Sequence, residues 1–230
     1  MNYLNIVPGV FLRRPNRFIA YVMVNGREEA AHVKNTGRCR ELLIPGAIIY
    51  LQEHDKPNRK TRFSLIAVQK GELLVNIDSQ APNKVMLEAL SQGLCLPGLK
   101  SPVNHIKAES VYGNSRFDFH VTAGGKEAYI EIKGVTLEQE GVAKFPDAPT
   151  ERGVKHVLEL MEAVSKGISA YVVFVVQMEG ICCVTPNDET HREFGQALRE
   201  AHRAGVNIIA YDCLVSHDKI ELNKPIPVIL

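Results

Sequence analysis

The stretch SRFDFHVTAGGKEAYIEIKG, residues 115–134, decides how this chain is read. Two strand-like runs flank Gly124-Gly125, a hairpin turn signal. Alternate side chains of a strand share a face. Glu131 and Lys133, two apart, therefore emerge together with Tyr129, while Ile130 and Ile132 point into a core. On the first strand Arg116 and Asp118 share one face, and Phe117 and Phe119 the other. The turn brings Asp118 towards Glu131 and Lys133.

Two carboxylates and a lysine on neighbouring strands suit metal-assisted phosphodiester hydrolysis. Carboxylate oxygens match Mg²⁺ or Mn²⁺, which keep several waters and bridge to phosphate. Asp118 and Glu131 are the expected catalytic ligands. Lys133 is the expected catalytic cation that orients or deprotonates the attacking water. Glu109, one strand earlier, is the candidate third acidic ligand. A competing reading fits the same residues: a cross-strand ion-pair network, with Asp118 and Glu131 paired to Arg116 and Lys133.

Downstream, FPDAPTERGVKHVLEL (145–160) opens a helix with Thr150 as its cap. Its apolar set is Val154, Val157, Leu158, Met161 and Val164, and Gly167 ends it. Arg152, Lys155 and His156 fall within its first two turns on one face, a seat for phosphate at a helix start. A solvated charged face is the alternative. SAYVVFVVQ (169–177) reads as a buried strand, with ICCVTP (181–186) as its hairpin partner. A second helix over about 189–204 and the strand VNIIAYD (206–212) complete this half.

Upstream, KVMLEALSQG (84–93) reads as a helix capped by Asn83, followed by a strand over 103–112. The order from residue 83 is α-β-β-β-α-β-(β)-α-β, a mixed α/β sheet flanked by helices. The first 80 residues differ. FIAYVMV, AAHVKN, AIIYLQE, RFSLIAVQ and ELLVNID read as five strands. Thr36-Gly37, Pro45-Gly46 and the polar loop HDKPNRKT (54–61) separate some of them. That pattern fits a small β-barrel of the OB type, and a small sandwich is the alternative. The expected organisation is two domains, 1–82 and 83–230. Arg116, in the second domain, is a further expected nucleic-acid contact, and Arg13, Arg14, Arg17, Arg38 and Arg40 give the first domain a basic surface. With Phe11, Phe18 and Tyr21 it could track a nucleic-acid backbone and stack bases, unless the aromatics are core.

Net charge is +1, so the whole chain is not a general polycation. Residues 1–82 hold 12 Lys+Arg against 7 Asp+Glu, and residues 83–230 hold 15 against 19. A basic module followed by an acidic one suits a binding platform joined to a carboxylate site. No apolar run approaches the ~18 residues of a membrane span. The N-terminus lacks a secretory pattern, and the five cysteines show no CxxC spacing, so thiols in a cytoplasmic setting are expected and a zinc site is not. No Gly-rich phosphate loop supports a nucleotide-dependent sugar enzyme.

Five blocks carry a specific resemblance: NTGRCRELLIPGA, VNIDSQAPNKVMLEAL, SRFDFHV, YIEIKGVTL and FPDAPTERGVKHVLEL. In this order, and over essentially the whole chain, it resembles the sugar fermentation stimulation protein (SfsA) family. The resemblance implies an OB-like first domain and a second domain similar to PD-(D/E)XK nucleases. It also implies DNA binding without sequence preference, with RNA as the alternative partner, and a regulatory role in maltose and sugar metabolism. The nuclease-like motif falls on Asp118, Glu131 and Lys133, with Glu109 as the extra acidic residue. Phe117 stands where such motifs often carry proline. A nuclease-like fold does not by itself establish cleavage.

Overall fold

The computed structural model describes residues 1–35, 37–55, 59–99 and 101–230. Thr36 and residues 56–58, which the sequence places in a turn and a polar loop, lie outside the described residues, as does Lys100. The first half holds β1 (Ile6–Arg13), β2 (Ile19–Val24), β3 (Arg27–Val33), β4 (Ile48–Glu53), β5 (Phe63–Lys70) and β6 (Leu73–Asn76). Their order is β3-β2-β1-β4-β5-β6, and a further parallel pairing of β3 with β5 closes a five-stranded barrel. The OB-type expectation therefore holds, with one strand more than the sequence showed.

That strand is β1, which Pro8-Gly9 disguises as a break. Pro8 pairs only with β4, opposite Tyr50, because the β2 pairing begins at Val10. Its missing N–H thus costs no ladder bond. At Gly9 a Cβ would lie 2.9 Å from the Met23 carbonyl oxygen, so the barrel needs glycine there.

The second half comprises α1 (Ala81–Ser91), β7 (His105–Tyr112), β8 (Ser115–Ala123), β9 (Lys126–Val135), β10 (Leu137–Gln139), β11 (Val142–Phe145), α2 (Glu151–Ser165), β12 (Ser169–Val176), β13 (Cys183–Pro186), α3 (Asp188–Arg203), β14 (Asn207–Val215) and β15 (Ile220–Ile226). The main sheet runs β15-β14-β12-β9-β8-β7. β12 lies parallel between β9 and β14, which explains its continuous burial.

Three expectations need correction. β13 is not the hairpin partner of β12, whose two edges are already occupied. It pairs in parallel with β11, in a separate sheet β10-β11-β13. Asn83 is not the cap of α1, which begins at Ala81 with Pro82 in its first turn, where a missing N–H is harmless. Leu158 is exposed, because the buried stripe of α2 runs through Gly153, His156, Val157, Leu160 and Ala163.

The halves are bolted together. Gln177 is 1% exposed, and its Nε2 donates to the Asn76 carbonyl, the Asn76 Oδ1 and the Asp78 carbonyl at 3.0–3.1 Å. Lys34 pairs with buried Asp78, and Lys70 with Glu138 across the junction. The first three residues cross over to the far sheet, where Tyr3 N–H donates to the Asp218 carbonyl. Replacing Gln177 by leucine strands buried carbonyls at this junction, at roughly 1–3 kcal/mol. Thermal unfolding of Gln177→Leu is expected to show a lower midpoint than wild type, and an unchanged midpoint would contradict the bolt.

Candidate functional site

β8 and β9 pair from Ala123↔Lys126 as far as Phe119↔Ile130, and there they part. Asp118 and Glu131 are the next residues on each strand. The Ile132 N–H loses its β8 backbone partner at this point, and the Asp118 Oδ2 accepts it at 2.7 Å. The Asp118 Oδ1 accepts from the Asn83 amide of α1 at 2.7 Å. Strand alternation also breaks here. Phe117 and Phe119 do not share a face. Phe117 packs with Tyr112, Tyr129 and His156, whereas Phe119 joins Met86 and Leu90 in the core beneath α1.

Glu131 is 5% exposed. Its Oε1 accepts from the Lys133 ammonium at 2.7 Å and from His156 Nδ1 at 2.6 Å. Its Oε2 is buried with no hydrogen-bond partner. A buried carboxylate oxygen left bare is costly; Glu41 and Glu159 each have one too, and that of Glu131 lies on the residue that also holds Lys133 and His156.

Charge follows this geometry. Burial pushes Glu131 up, but the His156 and Lys133 contacts outweigh it and hold the carboxyl below its ordinary value. Asp118 moves the other way, raised first by burial and then by the Glu131 charge, against the bonds from Ile132 and Asn83.

The other expected residues are less tightly gathered. Glu109 lies level with Asp118 on the edge strand, at φ 50°, but its carboxylate is exposed and pairs with Arg116 at 3.3 Å. It makes no bond to Asp118 or Glu131. Arg116 therefore does not pair with Asp118, as the ion-pair reading required. The helix-start trio separates. Lys155 donates to the Asn114 carbonyl at 2.9 Å, Arg152 Nε donates to His156 Nε2 at 3.3 Å, and His156 is buried behind Glu131 rather than facing a phosphate.

In the barrel, Arg13 makes a two-pronged pair with Glu28 at 2.7 and 2.8 Å and lies over the Tyr21 ring. Arg14 donates to the carbonyls of Arg17, Asn35, Gly37 and Arg38, fastening that loop. Among the described residues, the side chains of Arg17, Arg38 and Arg40 have no protein partner. They line a groove of about 490 Å³ together with Arg13 and Arg14. Phe11 is core and Phe18 is exposed.

Among the described residues, no three His, Cys, Asp or Glu side chains converge as a ready metal cage. Mg²⁺ does not need one, since it usually takes one or two carboxylates and keeps its waters. Asp118 and the bare Oε2 of Glu131 fit such a cation.

The raised Asp118 carboxyl has a consequence for stability. A carboxyl that holds its proton more tightly when folded favours the native state at acid pH. It loses that advantage as pH rises from the unfolded value through the raised folded value. Metal-free protein at neutral pH thus carries a penalty at Asp118. Asp118→Asn is expected to raise the thermal midpoint by a few degrees at neutral pH, with the gain shrinking as the buffer is acidified through the carboxylate range. A variant less stable than wild type at neutral pH would contradict this.

Residues 80–219 match the family model described as the sugar fermentation stimulation protein RE domain, and residues 12–77 match the SfsA N-terminal OB domain. A sugar fermentation stimulation protein homolog of Clostridium beijerinckii is 54% identical over 100% of both chains. One from Desulfitobacterium hafniense is 57% identical over 96% of this chain and 95% of its own. A solved structure, described as Pyrococcus furiosus SfsA in complex with Ca²⁺, superposes with a TM-score of 0.89 at 30% identity, covering 100% of this chain and 98% of that one. This chain belongs to the sugar fermentation stimulation protein family.

Proposed function

We propose that this protein binds nucleic acid, DNA foremost, without sequence preference, and hydrolyses its phosphodiesters at a divalent-cation site on Asp118 and Glu131. The observation that carries the proposal is the buried, unpartnered Oε2 of Glu131 beside a second carboxylate and a lysine. A relative 30% identical over this whole chain is described as holding Ca²⁺, a hard cation that takes oxygen ligands. That supports a divalent cation here, with Mg²⁺ or Mn²⁺ as the working ion.

A bound cation supplies charge stabilisation to a phosphoryl oxygen. The protein supplies the rest. Asp118 and Glu131 hold the ion. Lys133 uses one of its three donors on Glu131 and keeps two for water or a non-bridging phosphate oxygen. Gly37 lines both the basic groove and a cleft of about 160 Å³ between the two halves. That cleft also touches Gly134, the neighbour of Lys133. A strand lying on Arg17, Arg38 and Arg40 is thereby led towards the carboxylates.

A second reading has its own support. Lys133 is engaged with Glu131, and Glu109 does not complete the site. In that reading the protein holds DNA without cutting it, as a regulator of the sugar metabolism the family is named for.

Cleavage assays on single-stranded and duplex DNA and on RNA, with Mg²⁺ or Mn²⁺, separate the two. Cutting by wild type is expected to fall by ~10²-fold or more in Asp118→Ala and Lys133→Ala. Equal cutting by wild type and variants would sink the hydrolytic reading, and no cutting with intact binding would favour the regulator. Binding is expected to weaken as salt rises, and replacing Arg38 or Arg40 by alanine should each flatten the salt slope by about one unit. Arg14→Ala should instead lower stability, because its guanidinium ties the loop rather than a ligand.

A further inference from the structure

We propose that His156, set by Arg152, is a positioning residue that decides which oxygen of Glu131 faces the cation. This rests on reading Asp118 and Glu131 as the cation site. A guanidinium has donors and no acceptor. Arg152 Nε points at His156 Nε2 at 3.3 Å, so that ring nitrogen must be the acceptor and the ring proton must sit on Nδ1. Nδ1 then donates to the Oε1 of Glu131 at 2.6 Å. Lys133 donates to the same oxygen at 2.7 Å. Both donors fall on one oxygen, and the other is left bare and buried. The two donors pin the carboxylate by one side and leave the other to face a cation.

The helix is built for the task. The Thr150 hydroxyl accepts the Gly153 N–H at 3.1 Å, which fixes the phase of α2. His156 lies on the buried stripe of that helix, 4% exposed, with its ring edge-on to Phe117 at 5.8 Å. Buried there, Nδ1 is shielded from competing water. Partners behind a metal ligand that fix its orientation typically contribute ~10–100-fold in metal affinity.

The test is calorimetric titration of Mn²⁺ into the full-length wild type and variants, together with ¹H–¹⁵N NMR of the histidine ring. Wild type is expected to bind Mn²⁺ and Glu131→Gln to lose it. His156→Leu should bind ~10–100-fold more weakly. His156→Asn, whose amide can stand in for Nδ1–H, should stay within a few-fold of wild type. In wild type the His156 ring should carry its proton on Nδ1. If wild type binds no Mn²⁺, the cation reading fails and takes this inference with it. If Glu131→Gln loses binding while a folded His156→Leu binds as wild type does, the inference alone is overturned. A wild-type ring protonated at Nε2 overturns it as well, and that measurement stands even where His156→Leu does not fold.

Discussion

A carboxylate inside a sheet is the constraint around which this molecule is arranged. Glu131 sits on a central strand, between β8 and β12, almost sealed from water. An ion there is tolerated only with partners, and stripping one partner from a buried pair typically costs about 3–5 kcal/mol. Its partners come from different elements: Lys133 from its own strand and His156 from α2, with Arg152 behind the imidazole. This fixes the angular phase of α2, and so the Thr150 cap. Gly153 keeps the first turn close, since a Cβ there would lie 2.8 Å from the Thr150 hydroxyl and 3.2 Å from Phe194. The parting of β8 from β9 is the second requirement, because it frees the Asp118 carboxylate to accept the Ile132 N–H and the Asn83 amide.

The barrel is held rigidly to this site. Gln177 and the Lys34–Asp78 pair lie at the junction, and the Arg38 N–H donates to Asp147 of the second half at 3.0 Å. At Gly37 a Cβ would come within 2.8 Å of Asn35 Oδ1 and closer still to Asp147. The loop that lines the basic groove is thus tied directly to the second half. The arginines divide their labour. Arg14 builds the loop, Arg13 is largely spent on Glu28, and among the described residues the side chains of Arg17, Arg38 and Arg40 have no protein partner.

Much of this was legible in the sequence because the informative contacts are local. The period-two pattern of β8 and β9 and the turn between them place Asp118, Glu131 and Lys133 on neighbouring strands. The Thr150 cap and the apolar run of β12 are equally local. What the sequence hides depends on distant partners. β13 looks like a hairpin partner until both edges of β12 are seen to be taken. β1 hides behind Pro8-Gly9: the proline is harmless because its β2 side is unpaired, and the glycine is required by the close approach of Met23. Phe117 and Phe119 look alike by alternation, yet the strand twists between them where Asp118 leaves the ladder. His156 looked like a surface cation, although its spacing from Gly153 and Leu160 puts it on the buried stripe of its helix. That spacing was the available signal.

The central claim is that the bare oxygen of Glu131 is a cation ligand. Anomalous diffraction from crystals grown with Mn²⁺ tests it most directly. The account predicts a manganese peak at coordination distance from both Asp118 and the Oε2 of Glu131, with Oε1 still held by His156 and Lys133. Manganese bound elsewhere, or none at saturating concentration, would contradict it.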